Sequence, residues 1–101
     1  MSGFAYVVQC TFTDRAVRDE WLAWLRDEHV ADVVAAGALS GHAIVLDGDE
    51  LTCEVHYRFA DRAAFDVYER EHAPRLREEG LTRFPLERGL TYARRTGVVA
   101  C

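Results

Sequence analysis

Between Gly3 and Thr13 the chain alternates with a period of two. Phe4, Tyr6, Val8, Cys10 and Phe12 fall on one side; Ala5, Val7, Gln9, Thr11 and Thr13 fall on the other. This predicts a strand with one large apolar face and one small, mixed face. At Asp14, a natural N-cap, the period changes to about 3.6. From Arg15 to Glu28 the residues Val17, Trp21, Trp24 and Leu25 share one helical stripe, with Leu22 at its edge. Carried forward at helical spacing, the stripe has Glu28 near its centre and His29 near its edge. A second helical piece, residues 30–36, follows after a bend and ends at Gly37.

Residues 38–47 and 51–59 read as strands joined by the turn signal Asp47-Gly48-Asp49. In the second of these Leu51, Cys53, Val55, Tyr57 and Phe59 face one way, and Thr52, Glu54, His56 and Arg58 the other. Asp61 then caps a helix whose inward face is Phe65, Tyr68, His72 and Leu76. Pro74 cannot extend the hydrogen-bond ladder, so the helix bends or restarts there, and Gly80 closes it. After a loop through Pro85, residues 86–96 supply a fourth strand with Leu86, Leu90 and Tyr92 on one face. The order β-α-β-β-α-β is the split pattern of a ferredoxin-like α+β sandwich: a four-stranded antiparallel sheet with both helices on one face, in a single domain spanning residues 1–101. Each helical half carries a Glu-His pair with a glycine eight residues after the histidine (His29 and Gly37, His72 and Gly80), as two related halves would. The uncovered face holds Val7, Gln9, Thr11, Thr52, Glu54, His56, Arg58 and Thr91. Its mixed character predicts a homodimer in which two sheets pack into a barrel.

Composition narrows the function without naming it. A net charge of −5 over 101 residues argues against nucleic acid, which needs concentrated positive charge. All basic residues are arginine, which excludes lysine Schiff-base and P-loop chemistry. No signal-peptide pattern or membrane-length apolar run is visible, so the expected setting is cytoplasmic, with no membrane partner and Cys10, Cys53 and Cys101 as reduced thiols.

Several stretches carry a resemblance to a known group. Glu20-Trp21-Leu22-Ala23-Trp24-Leu25, Asp27-Glu28-His29-Val30-Ala31-Asp32-Val33, Glu71-His72-Ala73-Pro74-Arg75-Leu76-Arg77 and Arg83-Phe84 together resemble the dimeric α+β barrel superfamily. Within it they are similar to a family of small bacterial proteins classed as a domain of unknown function. The likeness runs from about Phe4 to Arg95. Val30-Ala31 departs from it, since many relatives have a proline near the first histidine. The resemblance implies a dimeric barrel and a ligand pocket between helices and sheet. The superfamily includes cofactor-free monooxygenases, polyketide cyclases, muconolactone-type isomerases, haem-degrading enzymes and stress-response proteins.

The candidate chemistry centres on His72, an imidazole in an inward stripe that can serve as a general acid–base at neutral pH. Packing offers the other account: a histidine satisfied by a neighbouring hydrogen bond. His29 and Glu28 are assisting candidates and Tyr68 an orienting one. Glu28 salt-bridges an arginine, caps the following helical piece or, if desolvated, acts as a base lining a pocket; if the chain bends at His29 it reaches solvent. No spacing of histidines or cysteines fits a metal site, and no cofactor is expected; haem, with His72 as axial ligand, is the outlying case. Trp21, Trp24, Tyr6, Tyr57, Phe59, Phe65, Tyr68 and Tyr92 either line a pocket for a planar molecule or simply fill the core. The chain thus reads as an enzyme or binder for a small hydrophobic or aromatic molecule, or as a non-catalytic dimeric module.

Overall fold

The structure, a computed structural model, describes residues 3–101. Strand β1 (Phe4–Phe12) leads into helix α1 (Arg15–Trp24), a π-helical turn (Leu25–His29) and helix α2 (Val30–Ala35). Strands β2 (Ser40–Leu46) and β3 (Asp49–Phe59) form a hairpin. Helices α3 (Arg62–Glu71) and α4 (Ala73–Arg83), a 3₁₀ turn (Leu86–Arg88) and strand β4 (Leu90–Val98) complete the chain. The sheet is antiparallel in the order β2-β3-β1-β4, the ferredoxin-like α+β arrangement that the alternation and capping signals predict.

Local chemistry explains most element boundaries. Asp14 Oδ1 accepts from the Ala16 amide and Asp61 Oδ1 from the Ala64 amide, both at 2.8 Å, satisfying donors that α1 and α3 leave open. The hairpin turns at Asp47-Gly48, with Gly48 at φ 80°. Two boundaries differ from expectation by more than a residue or two. Helix α4 runs through Gly80 to Arg83, because Gly80 is a packing position: a Cβ there would lie 3.3 Å from the tip of the Trp24 ring. The fourth strand starts at Leu90. Residues 86–88 instead coil after Pro85, and Gly89 at φ 92° ends the turn.

The core lies between the helices and one sheet face, where Phe4, Cys10, Phe12, Phe59, Trp21, Phe65 and Leu76 are almost fully buried. Cys10 and Cys53 stand directly opposite each other on β1 and β3 as free, buried thiols. Burial holds the Cys10 thiol up at about 12, so it packs as a small hydrophobe and does not react as a thiolate.

Among the described residues, no helix lies on the other sheet face. Even so, Thr52 and Glu54 are buried there. The Glu54 carboxylate accepts from Arg95 at 2.9 Å and contacts His56 Nε2 at 2.9 Å, while His42 and His56 stack at 5.5 Å. Partial burial pushes the Glu54 carboxyl up, but the Arg95 and His56 hydrogen bonds outweigh it and hold it below its ordinary range. Among the described residues, no helix is long and apolar enough to cross a membrane.

Candidate ligand cavity

The helix-facing side of the sheet is not packed solid. Phe4, Tyr6, Cys10 and Phe12 are buried along β1, yet Val8, midway along the same face, is only partly so. Tyr92 on β4 shows the same shortfall. Both floor a cavity of about 440 Å³, open on one side, that is bordered by β1, β3, β4, α1, the π-helical turn, α3 and α4. That volume lies in the range of small-molecule sites, roughly 300–1,000 Å³. Trp21, Trp24 and Leu25 form one wall; Tyr68, Leu76, Gly80 and Leu81 form another; Tyr6, Tyr57 and Val55 rise from the sheet. Two glycines make room. Gly80 lets α4 approach Trp24, and Gly41 lets the Tyr57 ring lie on β2, where a Cβ would fall 2.7 Å from Cδ1.

The π-helical turn decides which side chain of the first Glu-His pair enters. In an α-helix the residue below Trp24 on the inward stripe is four positions on, Glu28. A π-turn carries one more residue per turn, so residues five apart come into line. His29 therefore lies flat on Trp24, with ring centroids 4.2 Å apart and planes within 19°. It borders the cavity, and desolvation lowers its pKa from 6.5 to about 4. The imidazole is neutral at pH 7. Glu28 is turned outward and forms an ion pair with Arg83 at 3.1 Å, with both side chains about half exposed.

The second pair behaves in the opposite way. Helix α3 ends at Glu71 and α4 begins at Ala73, so His72 sits at the junction with φ −125° and ψ −38°. Pro74 has no amide hydrogen to continue the ladder and its ring obstructs the preceding turn, forcing the restart. Ala73 and Leu76 take the inward positions, both essentially fully buried. His72, expected on the inward stripe, is instead half-exposed, away from the cavity lining, with Nδ1 at 3.5 Å from Arg75. Of the four candidates, the structure brings His29 and Tyr68 together at the cavity and leaves His72 and Glu28 outside it.

Hydroxyl groups supply much of the cavity's polarity. Tyr92 accepts from Trp21 Nε1 at 3.0 Å, and Tyr6 accepts from Arg77 at 3.2 Å. Among the described residues, the Tyr57 and Tyr68 hydroxyls have no protein partner. Burial raises the pKa of both, so they are neutral donors at physiological pH. Arg77 and Arg94 also line the space. Helical and strand periodicity alone does not single them out; the available signal is the period-two position of Arg94 after Tyr92, which puts a charge on the inward face. Among the described residues no group of three or more metal-ligating side chains occurs.

The family model described as "Domain of unknown function (DUF4286)" matches residues 3–94. No curated protein matches the sequence. Solved structures do. A dimeric ferredoxin-like protein from an uncultured marine organism superposes with a TM-score of 0.68 at 14% identity, covering 100% of this chain and 98% of its own. A conserved protein of unknown function from Bacteroides thetaiotaomicron, described as a possible oxidoreductase, gives 0.69 at 7% identity, with 96% and 97% covered. SnoaB from Streptomyces nogalater, a cofactor-independent oxygenase solved as a point variant, gives 0.66 at 11% identity, with 96% and 92% covered. At such identities these likenesses show the fold alone.

Proposed function

The chain belongs to the family described as a domain of unknown function (DUF4286), and from that premise we propose that it is a homodimeric protein acting on a small planar hydrophobic or aromatic molecule. The observation that carries this reading is a cavity of about 440 Å³ with aromatic and aliphatic walls, whose polar groups include a neutral imidazole, two unspent tyrosine hydroxyls and the side chains of Arg77 and Arg94. Apolar walls with a few converging polar groups suit orientation of a ligand that itself bears a hydroxyl.

His29 is the proton acceptor in this reading, and Tyr68 orients the ligand by donating its free hydroxyl. Desolvation keeps His29 uncharged in the empty cavity. A ligand hydroxyl that gives up its proton leaves an oxyanion in the same space, and the resulting ion pair offsets the cost of charging the imidazole. Proton transfer is thereby coupled to occupancy. The likeness to a cofactor-independent oxygenase supports the class of scaffold. The dimer places two copies of the helix-free sheet face against each other, which would cover the buried Thr52 and Glu54 and the His42–His56 stack; dimeric ferredoxin-like neighbours support it.

Titration of the protein with 2-naphthol, followed by tryptophan fluorescence from Trp21 and Trp24, tests the cavity. Saturable binding is expected, weakened about tenfold (about 1.4 kcal/mol) in His29→Gln. Absence of saturable binding, or unchanged affinity in the variant, would overturn this reading. Sedimentation equilibrium at micromolar concentration should return the dimer mass, and a monomer would refute the barrel.

A further inference from the structure

We propose that the ligand is an aromatic monocarboxylate whose carboxylate is held by Arg94 and Arg77 at the mouth of the cavity; this rests on reading the cavity as a small-molecule site. Most arginines of this acidic chain are spent on carboxylates. Arg94 is not: among the described residues it makes no hydrogen bond or ion pair, and its guanidinium lies 5.0 Å over the Tyr92 ring, on the cavity wall. Arg77 is only partly spent. Its Nη2 donates to Glu69 and to the Tyr6 hydroxyl, while its Nε–H is buried without a partner.

Both guanidinium groups border the main cavity and also an adjoining shallower space beside Tyr6, Phe65 and Thr96. Arg95 reaches that space too, but its charge is met by Glu54 at 2.9 Å. Arg77 and Arg94 contribute two positive charges and Glu69 one negative, leaving a surplus of one. A single carboxylate balances that surplus, whereas a phosphate dianion exceeds it. Guanidinium groups suit the carboxylate geometry, and two aimed at one mouth fix its orientation. An anionic end there leaves the aromatic body among the tryptophan and tyrosine rings.

The test compares 2-naphthoate with 2-naphthamide, which has the same shape and no charge, by tryptophan quenching on the intact protein and on Arg94→Gln. Wild type should bind the acid about tenfold more tightly than the amide, and added sodium chloride should weaken only the acid. Arg94→Gln should bring the acid down to the amide's affinity with a much smaller effect on the amide, and should melt within a few degrees of wild type, since among the described residues the only protein contact it loses is the stack on Tyr92. Equal binding of acid and amide, indifferent to Arg94→Gln, would overturn the carboxylate assignment and leave the cavity reading standing. Binding of neither would overturn both.

Discussion

His29 gives the chain a specific sensitivity to acid. Its pKa is about 4 in the folded protein, against 6.5 for the free side chain. Between these values the unfolded chain holds a proton that the folded chain does not, so stability rises with pH across the window. The contribution is complete above pH 6.5 and is lost as pH falls toward 4. The full span is worth about 3 kcal/mol, and by pH 5 about 2 kcal/mol has gone. His29→Gln cannot titrate and should not show this loss. Urea denaturation of both proteins at pH 7.5 and pH 5 isolates the effect, since both conditions lie above the ordinary carboxylate range and every other histidine is common to the pair. Wild type should lose about 2 kcal/mol more than the variant, equivalent to a melting shift on the order of 10 °C for a domain of this size. Equal losses would mean that the imidazole stacked on Trp24 is not desolvated, and the argument for a neutral base in the cavity would fall with it.

The tyrosines divide by their partners. Tyr92→Phe leaves the Trp21 indole N–H without its acceptor and should cost about 1–2 kcal/mol, whereas Tyr57→Phe and Tyr68→Phe should stay within about 0.5 kcal/mol in urea melts while weakening 2-naphthol. Gly41→Ala should cost about 1–3 kcal/mol by thermal melting, because the new methyl meets the Tyr57 ring at 2.7 Å and Val30 at 3.1 Å. A thiol reagent added to native protein should label exposed Cys101 quickly and reach Cys10 and Cys53 only after unfolding; fast labelling of all three would contradict the packed inner face of the sheet.

Those outcomes depend on different amounts of information in the chain. The strands and caps were legible because alternation along Phe4–Phe12 and the side chains of Asp14 and Asp61 act over a few residues. The cavity was not. Val8 and Tyr92 hold the same period-two positions as the buried residues beside them, and nothing local distinguishes a side chain that fills space from one that borders it. That difference arises only when α1 and α4 meet across the sheet at a distance set by Trp24 and Gly80. Gly41 and Gly80 were the faint signals: glycine within a strand and glycine within a helix both weaken the element unless something must come close. The local pattern instead marks Gly80 as a helix end, since a glycine near the close of a helical pattern is more often a C-cap than a contact.

The two Glu-His pairs show most clearly where periodicity stops being a guide. Glu28 and His72 each lie four residues beyond an inward aromatic, Trp24 and Tyr68, so an uninterrupted α-helix would bury both. Neither helix is uninterrupted. The first gains a residue in its π-turn, which moves the inward position from Glu28 to His29 and frees the carboxylate to meet Arg83. The second stops before Pro74, which moves the inward position from His72 to Ala73. One irregularity brings an imidazole into the cavity and the other takes one out. The proline marks the second break in the sequence, but the π-turn has no comparable marker: its residues, Leu25 to His29, are compatible with an ordinary helix. What favours the insertion is the outcome, since a buried carboxylate without a partner is far costlier than a neutral imidazole stacked on an indole. The side chain whose ordinary pKa lies nearest neutrality is thus placed in the cavity, in its uncharged form, by the same energetics that exclude the carboxylate.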